Sequence, residues 1–147
     1  MQTTTIKMDI LVTLSRFLKA QERSYETALS EIRNGRKMSH WIWYIFPQIK
    51  GLGSSINSEY YGITDRSEAE AFLAHPILGA RLRLITEALL AHKGKKAEAI
   101  LGGIDAMKVR SSMTLFDLVS PNDIFAEVLN EFYYGRPCGR TKEKIGL

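Results

Sequence analysis

The chain has 147 residues, 45% of them hydrophobic and 24% charged. That supplies one core and excludes a disordered chain. Lysine and arginine outnumber aspartate and glutamate by 20 to 16, too thin a surplus to indicate nucleic acid unless the charges cluster.

One cysteine, Cys138, excludes an internal disulfide and fits a reducing compartment. No apolar run approaches the ~18 residues of a membrane helix. The start, MQTTTIKMDILV, lacks the h-region and cleavage site of a signal peptide. A cytoplasmic location without membrane contact is therefore expected.

Residues 1–8 read as a flexible N-terminal tail. From Leu14 to Asn34, apolar groups at Leu14, Phe17, Leu18, Tyr25, Ala28, Leu29 and Ile32 keep the spacing of an amphipathic helix, and Gly35 stops it. Residues 40–46 are apolar all round, which indicates burial. Their pattern permits a strand or a short helix. The helix, capped by Ser39 and closed by Pro47, is expected because no second strand is available to pair. Ser54 or Ser55 opens a brief helix to Tyr61. Asp65 and Glu68 form a capping box for a helix over 66–74. His75-Pro76 breaks it and starts the next, which carries Leu78, Leu82, Ile85 and Leu89 toward His92. His75 reads as a helix-boundary residue and His92 as a solvated one.

A short helix over 97–101 ends at Gly102-Gly103. Asp105 caps another through Leu118, with Met107, Met113, Leu115 and Phe116 as core candidates. The helix over 123–134 buries Ile124, Phe125, Val128, Leu129 and Phe132, and Gly135 stops it. Residues 136–147 form a basic C-terminal tail, only partly ordered. The expected architecture is all-α: one domain, 9–135, of about seven helices, several of them short.

The runs AQ at 20–21, GRKMSHWIWYIFPQIKGLG at 35–53, HPILGARL at 75–82 and DAMKVRSSMTLF at 105–116 carry a resemblance. They resemble a family of small bacterial and fungal proteins catalogued as a domain of unknown function, with HWxWxxFPQxxGLG as the distinctive stretch. Some members carry the label calpastatin, a disordered inhibitor unlike a chain with this much core. The resemblance implies a compact all-α fold. It brings no reaction, cofactor or catalytic residue.

Function must therefore be read from the residues. Trp41 and Trp43 are either core mass or the wall of a pocket that stacks on a planar ring. His40 and Gln48 lie beside them as polar readers, and His40 is the one candidate for proton transfer. Arg36 and Lys37 precede them as cations. The Gly51–Ser55 loop turns its N–H groups toward an anion or is an ordinary turn; it has neither phosphate-loop spacing.

In DAMKVRSSMTLF, Ser111, Ser112 and Thr114 are poor helix-interior choices beside Lys108 and Arg110. They either bind an anion or bond back to the helix. No zinc motif or metal cluster is spelled out, and Cys138, alone in the basic tail, makes a poor nucleophile candidate. No cofactor is expected. The favoured reading is a pocket for an anionic, ring-containing small molecule, such as a nucleotide-derived metabolite. The alternative is a non-catalytic structural or protein-interaction module whose aromatic stretch is only core. Nucleic-acid binding through Lys93, Lys95, Lys96 and the tail ranks last, because those charges fall in bends.

Overall fold

A computed structural model describes residues 2–146, with side chains from residue 9 onward. The elements are α1 (Gln2–Arg33), α2 (Ile42–Ile45), α3 (Ile56–Tyr61), α4 (Arg66–Ala74), α5 (Leu78–Leu90), α6 (Ala97–Leu101), α7 (Gly103–Val119), α8 (Ile124–Tyr133) and α9 (Gly139–Ile145). The class is all-α. Nine helices occur among the described residues, where about seven are expected; the one outside the expected elements is α9, in the basic tail. The backbone of α1 also runs through positions 2–8, read from sequence as tail; their side chains lie outside the described residues.

The centre of the fold is α7, which packs on α8, α6, α4, α9 and α2, while α1 packs on α5, α2 and α4. Phe17, Phe72, Phe116 and Phe125 form a chain of ring contacts between α1, α4, α7 and α8, with centroids 5.1, 5.5 and 5.7 Å apart. Such tilted and edge-on pairs are favourable beyond the area they bury.

The aromatic stretch is a single helical turn, α2. Among the described residues, strand pairing amounts to one parallel bridge, Ile49 with Ile63. Ser39 does not cap α2; the cap position is Trp41, without a side-chain bond. The Ser39 hydroxyl is drawn instead to Glu31. One Glu31 oxygen accepts from the backbone N–H of Met38 and Ser39 and from the Trp41 indole N–H, at 2.7, 2.9 and 3.0 Å. The other accepts from the Ser39 hydroxyl at 2.6 Å. Trp41 is thereby drawn fully into the core.

A second carboxylate locks α3 and α4 to α1. Glu68 takes both Arg16 Nη atoms at 3.1 Å, while Arg16 also donates to the carbonyls of Tyr60 and Gly62. Only half of the capping box forms: Asp65 accepts from Glu68 N–H, but the Glu68 carboxylate turns to Thr64 N–H and Arg16. His75 is a boundary residue, its Nδ1 accepting from Ile77 and Leu78 N–H at the start of α5. His92 is not solvated. Its Nε2 bonds the Ile32 carbonyl at 2.6 Å, because α5 returns along the end of α1. Met107 is exposed rather than core.

Two outcomes follow. Burial pushes the Glu31 carboxyl up, and its four donors outweigh that and hold its pKa down to about 2, from 4.5. A depressed carboxylate contributes stability that is full above pH 4.5 and is lost as the pH falls toward 2. Glu31→Gln lowers unfolding free energy at pH 7 by about 1–2 kcal/mol and flattens that acid limb, measured by urea denaturation between pH 7 and 3. At the α4–α5 junction, a Cβ on Gly79 would stand 2.0 Å from the Leu73 carbonyl oxygen. Gly79→Ala costs about 3 kcal/mol or more, read as a fall in Tm.

Candidate functional site

Three segments converge on the first half of α7. The aromatic stretch and the loop after it lie on one side, and the C-terminal segment closes another. Helical spacing places Ile104, Met107, Lys108 and Ser111 along the α7 face that meets them.

The first hollow is a groove of about 390 Å³ between Lys37, His40, Ile42 and Trp43 and the stretch Leu101–Asp105 with Lys108. Lys37 Nζ pairs with Asp105 at 2.8 Å, its side chain almost wholly buried. It also donates to the Ser39 carbonyl and lies 4.8 Å from the centre of the Trp41 ring. Lys108 reaches the same carboxylate only at 3.8 Å and lies 5.0 Å over the Trp43 ring. One carboxylate thus faces two ammonium groups, and Lys108 is the less committed of them. His40 is exposed and has no hydrogen-bond partner among the described residues, so nothing orients its ring.

The second hollow, about 240 Å³, shares Lys108 and Ile104 with the first. Its walls are Met107, Arg110 and Ser111 of α7, Gln48, Leu52, Gly53 and Ser58 opposite, and Cys138 and Arg140 from the C-terminal segment. Gln48 is 9% exposed, and its carboxamide makes no hydrogen bond to a described residue. Its position is fixed by the backbone: the Gln48 carbonyl accepts from Ile63 N–H at 2.9 Å. The Gln48 amide atoms are not sealed from solvent, so the carboxamide faces the cleft with no partner among the described residues.

The C-terminal segment is held here by α7. Arg110 donates to the carbonyls of Arg136 and Pro137 at 2.8 and 3.0 Å. The Thr114 hydroxyl donates to the Arg110 carbonyl and accepts from Cys138 N–H, both at 2.8 Å. The segment read as a partly ordered tail therefore continues the fold as α9, with Thr141 fully buried. Ser111 Oγ stands 3.2 Å from the Met107 carbonyl and 3.4 Å from Cys138 Sγ, and its one proton serves one of them at a time.

A family model described as a protein of unknown function, DUF1810, matches residues 11–145. The chain belongs to the DUF1810 family. The match extends through α9, so Cys138 and Arg140 lie within the family's domain. A crystal structure of a conserved hypothetical protein from Mycobacterium tuberculosis is 40% identical in sequence, with a TM-score of 0.88 over 91% of this chain and 96% of that one. No curated protein matches significantly.

Of the sequence-derived site residues in this DUF1810 chain, Gln48, Lys108, Arg110 and Ser111 share the cleft, and Lys37, His40 and Trp43 join Lys108 in the groove. The remaining residues fall elsewhere. Arg36 is exposed and lines neither hollow. Trp41 is core, because Glu31 captures its indole N–H. Ser112 is fully buried, its hydroxyl unpartnered, and Thr114 is spent on the backbone. Sequence reasoning set Cys138 aside as alone in the basic tail and did not single out Arg140; both line the cleft. The available signal was a Cys-Gly-Arg-Thr run after a proline, which suits a helix start.

Arg110→Gln frees the segment it holds. Trypsin cleavage after Arg140 and Lys142 then accelerates about tenfold under native conditions, followed by mass spectrometry, while α1 stays intact.

Proposed function

We propose that this chain is a pocket protein for a small anion, with the cleft beneath Lys108 as the binding site. The observation that carries the reading is Gln48. The side chain of this nine-tenths buried residue has no partner among the described residues, and its amide atoms open to the cleft opposite Lys108, Arg110 and Arg140, where they can bond a solute. The cations attract negative charge, Gln48 and Ser111 read polar atoms, and Leu52, Ile104 and Met107 cover an apolar body.

A ring-containing ligand, such as a nucleotide-derived metabolite, extends past Lys108 into the groove. There Trp43 offers a face that Lys108 covers in the free protein. When Lys108 turns to the anion, that face becomes available for stacking. Proton transfer by His40 belongs to this reading only for a ligand spanning both hollows, because His40 lines the groove and not the cleft.

The test is a thermal-shift series with inorganic phosphate, ribose 5-phosphate and adenosine monophosphate. At a hundred times Kd, binding raises Tm by about 5–10 °C. Gln48→Leu and Lys108→Ala each abolish the shift, and Trp43→Phe trims only the gain from the ring. A shift that survives both Gln48→Leu and Lys108→Ala, or no shift with any of the three solutes, overturns the assignment.

A further inference from the structure

We propose that Cys138 is a nucleophilic thiol of this cleft, placed to be captured covalently by a small carboxylate that bears an electrophilic carbon. The proposal rests on the anion-cleft reading and names the chemistry of the same site. Cys138 is partly exposed and lines the cleft with Ser111, Lys108, Arg110 and Arg140. Its backbone is anchored by Thr114, and Ser111 Oγ lies 3.4 Å from its sulfur. An independent mark of a ligand lies in the same wall: Gln48, a nine-tenths buried residue whose amide opens to the cleft without a partner among the described residues.

The electrostatics act in the same direction. Burial pushes the thiol up, but the Ser111 hydroxyl and the backbone N–H groups of Thr141 and Arg140 outweigh it and hold the thiol below its ordinary value. Lys108 and Arg140, which line the same cleft, favour an incoming carboxylate. The reaction is a substitution. The thiol first gives its proton to solvent. The thiolate then forms a sulfur–carbon bond with its electron pair, and the leaving group departs with the pair of the bond it loses.

Cys138 is the one cysteine of the chain, so intact mass reports it directly. The native protein is treated in parallel with iodoacetate, from which iodide leaves, and with neutral iodoacetamide; glutathione is the reference thiol. The ratio of iodoacetate to iodoacetamide rates is expected about fivefold above that of glutathione, the effect of a nearby cation on an incoming anion. Inorganic phosphate slows the iodoacetate reaction. Arg140→Gln lowers the ratio. Ser111→Ala moves the pH midpoint of iodoacetamide labelling upward.

A ratio no higher than that of glutathione, or labelling only after denaturation, overturns the proposal. The phosphate thermal shift of the native protein then separates the two readings. If the shift is present, only the thiol role is lost; if it is absent, the anion site falls as well.

Discussion

The Glu31 carboxylate is the constraint on which the functional face depends. It ends the long first helix and gathers four donors from the next ten residues. Without it, the chain leaving α1 has no reason to fold back at Ser39, and Trp41 has no buried partner for its indole N–H. With it, Trp41 enters the core, α2 starts beside α7, and Trp43 and Gln48 fall on the side that faces Lys108. Charge-assisted bonds of this kind are strong because the acceptor is ionised and its donors are partly screened from water.

A similar economy shapes the other end of the chain. Arg110 and Thr114 face the C-terminal segment and satisfy its backbone groups, so that a basic, polar stretch continues the domain. Their role is positioning. By holding residues 136–138, they bring Cys138 and Arg140 against the same face of α7 that carries Lys108 and Ser111. The cleft is thus assembled from segments about ninety residues apart in sequence, with α7 as their shared wall. Asp105 limits the positive field by neutralising Lys37 closely and Lys108 only loosely.

Much of the helical order was legible because it rests on local chemistry. Ser55 and Asp65 are caps that accept backbone N–H bonds in the structure, whereas Asp105, expected as a cap, lies inside α7, which starts at Gly103, and pairs with Lys37. The α5 and α8 faces follow their apolar spacing. Less was legible where one residue type serves several ends. Met107 has the spacing and apolarity of a core residue yet lies exposed, because the core side of α7 is already filled by Val109, Met113 and Phe116. Glu68 suits a surface capping box, but Arg16, fifty-two positions earlier, draws it inward. The hydroxyls of Ser111, Ser112 and Thr114 read alike in sequence; one borders the cleft, one is sealed in the core and one holds the tail.

The sequence by itself determined the all-α class, most helix boundaries and the two segments, 35–53 and 105–116, from which the hollows are largely built. Caps, periodicity and breakers act over a few residues, so they are written locally. Only the tertiary structure decided that Trp41 is core while Trp43 borders a groove, that Gln48 is buried without a partner, and that Cys138 and Arg140 join them. Those outcomes depend on which distant group meets each side chain, and that is set by how α1, α7 and the C-terminal segment pack.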